Sequence, residues 1–423
     1  MQIALLILIL SSLVFIIIYY RYNAIYFIPV FFIVFDVIRG WFSIGSYFGT
    51  IRNISYFLLI GYVLIMNKKT LIQNIWIPIF LLYVLFLVPL SSNIKESATN
   101  FIVLWNSLFT FSLGLYFFKN IKQLKELNKF LIIMMFIFVI NAMLSSTLGI
   151  GRTIYGGSLT MGGFAHDRLY SGSIFLILLP IITPLIASKP YRILLFICSI
   201  ITYILLVISM RRTAFLVPLL GFLVYFFLTK NKNRMIFIVL LFVFLIAAAF
   251  PLYKDTLINR LNARLESFDN TLTEEYRYKE IQFVFKETFS TIKTALIGKE
   301  VLNSVGNYNE GLWGARPLHT DFAVLLHGSG IVGVILFSLI YLSIINSYFR
   351  YVFLVPKIDF ANELNAIFIA LFVSTLFISV QGGLLAPTFR AILLLYMGAI
   401  LGIFKNYKLQ HDDKLINELD NID

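Results

Sequence analysis

The sequence predicts an all-α fold: a polytopic membrane bundle of about 13 transmembrane helices (12 to 14), with one large external helical loop between spans 10 and 11. Three observations lead there. Of 423 residues, 60% are hydrophobic and only 13% charged, and the mean hydropathy of +0.89 exceeds what a soluble domain of this size buries. Apolar runs of about 18 to 22 residues recur along nearly the whole chain, each long enough to cross a hydrocarbon core of roughly 30 Å as a helix. The runs do not alternate as barrel strands would, and lipid offers an open backbone amide no partner, so the runs are helices.

Taken in order, the runs place spans at 1–20, 24–43, 50–66, 72–90, 99–118, 130–149, 169–188, 191–209, 212–228, 235–252, 322–345, 364–381 and 387–404. The first has no basic residue before it, is longer than a signal core and is followed by Arg21, so it reads as a retained span. Four regions follow: an N-terminal bundle at 1–250 holding spans 1 to 10, a large external loop at 251–321, the C-terminal spans at 322–404 and a tail at 405–423.

The net charge of +13 does not mark a nucleic-acid protein, because the basic residues are scattered among short loops rather than gathered on one soluble face. Their distribution reports topology. Lysines follow the odd-numbered spans, as at Lys68, Lys69, Lys119, Lys122, Lys125, Lys129, Lys189, Lys230, Lys232, Lys357 and Lys405, whereas the short loops after even-numbered spans contain only Lys95. The positive-inside rule then puts the N-terminus outside, the C-terminus in the cytoplasm and the 251–321 loop on the external face. Cys198 is the only cysteine, so neither an intrachain disulfide nor a cysteine-based metal site can form.

Within the external loop, residues up to Leu296 are rich in helix formers at helical spacing and predict two or three helices lying over the membrane surface. The following stretch, IGKEVLNSVGNYNEGLWGARPL, is glycine-rich and reads as a loop able to move. A second external segment, LGIGRTIYGGSLTMGGFAHDRLYSG, joins spans 6 and 7, and its glycine pairs admit close backbone approach to a ligand or another helix, or make it a flexible connector.

Arginine does not follow the lysine pattern. Arg39, Arg52, Arg152, Arg168, Arg211, Arg212 and Arg390 all fall in external loops or at outer helix ends. Guanidinium is weakly hydrated and binds phosphate in a two-pronged manner, so the enrichment points to an anionic ligand at the outer interface, although each arginine singly also fits a snorkelling anchor. In SMRRTAFL, Arg211 and Arg212 open a span and add to the positive end of its dipole; consecutive residues point about 100° apart, so one of the two faces the bundle interior. In RPLHTDFAVLLHGSGIVG, His319 lies between Arg316 and Asp321 on the outer approach to span 11, where a neutral imidazole can take a proton from a sugar hydroxyl. His327, about two turns deeper, reads as a packing or hydrogen-bonding residue, and His166 beside Asp167 and Arg168 is a second candidate. No HExxH or comparable metal spacing and no phosphate-cradling P-loop is present, and the cytoplasmic connections are too short for a nucleotide domain. An activated substrate would therefore arrive attached to lipid.

These residues resemble the O-antigen ligase and polymerase superfamily of bacterial surface-polysaccharide assembly. The likeness covers roughly residues 160 to 345 and rests on ordered blocks: SMRRTAFL at the outer start of a span, RLNARLESFD and EEYRYKE with Arg277 in a large external loop, IGKE in place of the usual glycine-containing turn, and HTDFAVLLHGSGIVG leading into a span. One departure is that the family histidine is often followed by Asn, here Thr320. The resemblance implies an inverting glycosyltransferase of the bacterial inner membrane, acting on undecaprenyl-diphosphate-linked oligosaccharide without nucleotide, metal or other cofactor. It implies that Arg211 or Arg212 and Arg277 bind the diphosphate and that His319 activates or positions the acceptor hydroxyl. Arg152, His166, Arg168, Arg316 and Asp321 are further candidate substrate contacts. Implied partners are the lipid-linked glycan, membrane lipid and a chain-length regulator, with no nucleic acid.

Within that family a polymerase joins lipid-linked repeat units, and a ligase transfers the finished glycan to a final acceptor such as lipid A core. The polymerase is the expectation here, on the Ile-, Phe-, Tyr- and Asn-rich composition. A flippase for lipid-linked oligosaccharide is the alternative from another class. It would need ionisable groups deep in its spans, but Asp36 can pair with Arg39 one turn on, and the one-sided loop favours an enzyme.

Overall fold

A computed structural model of the chain describes residues 21–41, 47–149, 169–185, 189–209, 212–230, 276–302, 305–306, 316–318, 320–352, 361–382, 384–385 and 387–420, with scattered positions within 8–20 and 232–258. Where the apolar runs are described they are largely helical, whereas much of the runs at 1–20 and 235–252 lies outside the described residues. After a 3-10 turn at Arg21–Phe27 come α1 (Ile28–Trp41), α2 (Tyr47–Met66), α3 (Trp76–Leu87), α4 (Ile94–Phe117), α5 (Ile121–Leu148), α6 (Leu169–Leu185), α7 (Lys189–Ser209) and α8 (Arg212–Leu228). The 251–321 segment contributes α9 (Tyr276–Thr288) and α10 (Ile292–Ile297), and α11 (Asp321–Val352), α12 (Ala361–Gln381) and α13 (Pro387–Asp420) complete the described helices. A two-residue antiparallel ladder, β1 (Val305–Gly306) with β2 (Arg316–Pro317), is a short exception to the helical plan.

Capping residues, rather than hydropathy alone, set where helices begin. Asn93 accepts the Glu96 N–H at 3.2 Å and starts α4 before its apolar run, and Asn120 does the same for α5 through the Gln123 N–H at 3.0 Å. Gly149 ends α5 in the left-handed region at φ 65°, where a side chain would be strained. Among the described residues, seven helices are long and apolar enough to cross a membrane: those spanning Gly49–Met66, Ile94–Phe117, Ile121–Ser145, Lys189–Leu206, Asp321–Val352, Ala361–Val380 and Phe389–Leu409. Shorter apolar helices lie at Asn23–Phe35, Trp76–Leu90 and Leu216–Leu228. The chain is a helical, multi-pass membrane protein.

At its centre, α13 packs along α4. Of the apolar window of α13, 89% is buried, against 33% for α7, so α13 is enclosed by protein while α7 presents much of its surface to lipid. Glycines permit the close approach: a Cβ on Gly398 would collide with the carbonyl of Phe111, one on Gly402 with that of Phe118 and one on Gly114 with that of Leu395. Backbone contact of this kind is how helices gain dispersion energy in lipid, where no hydrophobic drive joins them. Tyr396 donates to Asn128 Oδ1 at 2.8 Å across the same core, tying α13 to α5 as well.

Candidate functional site

The described part of the site is built around the start of α11. Thr320 caps this helix, its Oγ1 accepting the Ala323 N–H at 3.1 Å. The Thr320 N–H is in turn donated to Oε1 of Glu280 at 3.1 Å, although the two residues lie 40 apart in the chain. Glu280 sits on α9 one turn after Arg277 and is buried, as are Leu318 and Thr320. Helix α9 is thereby fastened to the residue that follows position 319.

Asp321 adds a second anchor. At 2% exposure it is ion-paired with Arg390, itself 1% exposed, while its Oδ1 accepts the Leu384 N–H at 2.6 Å. Arg390 also donates to the Tyr341 hydroxyl at 2.9 Å. The carboxylate occupies the first turn of α11, where the helix dipole favours it, and joins that turn to the α12–α13 connection.

Two turns on, α11 breaks. Gly330 adopts φ 62° and ψ −167°, a conformation essentially reserved for glycine, and a Cβ there would strike the Leu296 carbonyl. The segment after α10 fits into this break. The Lys299 and Glu300 N–H groups donate to the His327 carbonyl at 2.8 and 3.3 Å, and the Tyr83 hydroxyl donates to the Ser329 carbonyl at 2.8 Å. Glu300 Oε1 accepts from Ser91 Oγ at 2.5 Å and the Ser92 N–H at 3.0 Å, Asn100 donates to the Leu302 carbonyl at 2.7 Å, and Ser97 donates to that of Val301. Non-helical backbone near a membrane survives only where such partners satisfy it. The stretch beginning IGKE was expected to move; its first residues, 298–302, are instead held on both sides, while 307–315 lie outside the described residues.

Several candidates fall where less can be said. His319, Arg211, Arg152, His166 and Arg168 lie outside the described residues. Arg212 opens α8, Arg277 lies in the first turn of α9 and Arg316 stands in β2 opposite Gly306; their side chains, like those of Asp36 and Arg39, are outside the described set. Ser173 Oγ donates to the Ala214 carbonyl at 2.5 Å, fixing the start of α8 against α6, and α12 packs along both α8 and α11. The structure thus brings the Arg277 helix to the residue that follows His319, and the helix that Arg212 opens packs on α12, which also packs on α11.

Two expectations are corrected. Asp321, expected as a further substrate contact, has both carboxylate oxygens engaged in a buried anchor. Arg390 and Arg52 leave the set of arginines offered to an anion: Arg390 is consumed by Asp321, and Arg52 is buried, donates to Asn53 Oδ1 at 3.1 Å and lies 6.0 Å from the ring centroid of Phe32. Sequence reasoning missed Glu280 and the Asp321–Arg390 pair. A glutamate at helical spacing from Arg277 was a visible signal for the first; nothing local signals a pair separated by 69 residues. Among the described residues no three His, Cys, Asp or Glu side chains cluster to hold a metal ion. Comparison with protein-family models finds no match, and comparison with characterised proteins finds none either.

Proposed function

We propose that this chain is a surface-polysaccharide polymerase, an inverting glycosyltransferase of about 13 spans in the bacterial inner membrane, with its N-terminus and active site external and its C-terminus cytoplasmic. The observation that supports it is the Glu280–Thr320 hydrogen bond, which fastens the external helix bearing Arg277 to the peptide that follows His319. The two blocks that carry the sequence resemblance are thereby neighbours.

In this reading Arg277 and Arg211 or Arg212 bind the diphosphate of an undecaprenyl-linked glycan, with Arg152, His166, Arg168 and Arg316 as further contacts. His319 takes the proton of the acceptor hydroxyl as its oxygen bonds to the anomeric carbon from the face opposite the diphosphate. The bond from that carbon to the diphosphate oxygen breaks, and the lipid diphosphate leaves with the electron pair. Arginines stabilise its growing charge, so neither nucleotide nor metal is required by the scheme. Attack from the opposite face inverts the anomeric configuration. A chain-length regulator is the protein partner such a polymerase would take.

The test is incubation of the purified protein with a synthetic undecaprenyl-diphosphate-linked repeat unit, without nucleotide or metal. A ladder of longer lipid-linked glycans with inverted linkages, lost in His319→Ala and in Arg277→Ala, is the expected result. No ladder from an authentic repeat unit, or retained anomeric configuration, would overturn the reading. Transfer only to a lipid A core acceptor would make the chain a ligase instead.

A further inference from the structure

A cavity of about 330 Å³ opens at the other end of the bundle, lined in part by Asn23, Tyr26, Asn67, Phe118, Lys119 and Gln123. Helix α4 measures its distance from the external site. Its 24 residues run from Ile94, beside the Ser91 and Ser92 contacts to Glu300, to Phe117 at the cavity wall. At 1.5 Å per residue that is about 35 Å, close to the roughly 30 Å thickness of a hydrocarbon core. The cavity therefore lies at the opposite membrane interface, where three connections converge.

Its chemistry is one-sided. Asn23, Asn67 and Gln123 bring side-chain amides and Lys119 an ammonium group, and among the described residues no carboxylate lines the cavity. Gln123 spends its oxygen on the Lys119 N–H at 2.6 Å and donates from its NH₂ to the Tyr26 hydroxyl, so a single amide N–H is the group it can offer. The nearest acid on the same helix, Glu126, pairs with Lys129 at 2.7 Å and also acts on the Tyr26 hydroxyl, but it is outnumbered: Lys68 and Lys69 follow Asn67, and Lys122 and Lys125 follow Lys119. Beneath the polar groups lies an apolar bed in which Tyr26 meets Phe118 edge-on, with ring centroids 5.6 Å apart. Donors and a cation over aromatic surface, at the depth of lipid headgroups, match an amphiphile with an anionic phosphate head. Basic pockets between transmembrane helices commonly hold such heads.

We propose that this cavity binds the phosphate-bearing headgroup of an anionic phospholipid of the leaflet opposite the candidate catalytic face. Lys119 and the three amides contact the phosphate, and the acyl chains lie along the apolar wall. The site is independent of the glycosyltransferase reading and is tested without any activity.

The full chain, purified in a neutral detergent, is mixed with equal amounts of phosphatidylglycerol and phosphatidylcholine, and retained lipid is counted by native mass spectrometry. The wild type is expected to favour phosphatidylglycerol, and Lys119→Gln to lower that preference about five-fold, the effect of one basic residue near an anionic surface. The paired substitution Asn67→Leu with Gln123→Leu should lower it as well, with helical content and melting unchanged in both variants. Lys129→Gln, which removes a neighbouring charge outside the cavity, should leave it intact. Equal retention of the two lipids by the wild type, or equal loss in Lys119→Gln and Lys129→Gln, would overturn the site. Displacement of phosphatidylglycerol by inorganic phosphate would overturn the lipid as its occupant.

Discussion

The centre of the bundle and the corner at the break in α11 are held by opposite means. Along the α4–α13 seam, Gly114, Gly398 and Gly402 bring backbone against backbone. At the corner, residues 298–302 and the broken helix α11 are joined by hydrogen bonds from Tyr83, Ser91, Ser92, Ser97 and Asn100, and the first turn of α11 by a buried ion pair. Packing of the first kind tolerates small displacements, whereas polar networks require defined positions for every member. The region that carries the candidate site is the one whose geometry is specified by hydrogen bonds.

The buried pair is the severest place to break that specification. Arg390→Leu leaves the Asp321 carboxylate enclosed without its counter-ion, and a loss of about 3–5 kcal/mol is expected in reversible denaturant unfolding of the detergent-solubilised protein. Replacing both residues by leucine should recover most of that loss, because the penalty belongs to the orphaned charge. A double variant as unstable as the single would show that the pair is needed for its own sake.

Glycine substitutions next separate the two regions. Gly330→Ala is expected to cost about 1–3 kcal/mol from backbone strain, with a further contribution from collision with the Leu296 carbonyl. Gly398→Ala is expected to cost about 1–3 kcal/mol through overpacking of the seam. Amide exchange should tell them apart: Gly330→Ala exposes 292–302 to faster exchange, and Gly398→Ala leaves that segment protected while lowering global stability. If both variants loosened 292–302 alike, the two regions would be one cooperative unit.

A smaller effect is expected at Glu300, where the carboxylate serves two donors. Glu300→Ala leaves the Ser91 hydroxyl and the Ser92 N–H without it, at about 1–3 kcal/mol. Glu300→Gln retains an acceptor oxygen and should recover part of the loss in the same unfolding assay. No difference between the two would mean that water replaces the contact.

The same contrast explains what could be read in advance. Apolar length is a local property, so helices were legible at 50–66, 169–188, 191–209 and 212–228, where α2, α6, α7 and α8 stand. Their ends were less so, because Asn93 and Asn120 start α4 and α5 by capping in polar sequence that a hydropathy argument passes over. The seam was written in the four-residue spacing of Gly398 and Gly402, a signal not used. At the corner, residue types were legible and partners were not. Arg390 looked like an external arginine open to phosphate until Asp321 was found against it, and Gly298 looked mobile although it lies against the backbone of residues 327–329. Long-range pairing is a property of the folded arrangement and leaves no periodic trace in the chain.

Glu280 offers the finest test, because it closes the EEYRYKE stretch and reaches 40 residues along the chain to the N–H of Thr320, next to His319. If its bond to the Thr320 N–H only stabilises the fold, Glu280→Ala should lower stability and leave the turnover of correctly folded protein unchanged. If it aligns the catalytic segment, glycan elongation should fall about tenfold, the equivalent of one hydrogen bond to a buried peptide, while affinity for the lipid-linked donor is retained. Glu280→Gln keeps an acceptor for Thr320 and should restore most of the turnover. A loss of donor affinity in place of turnover would move Glu280 from aligning the peptide after His319 to shaping the diphosphate subsite around Arg277.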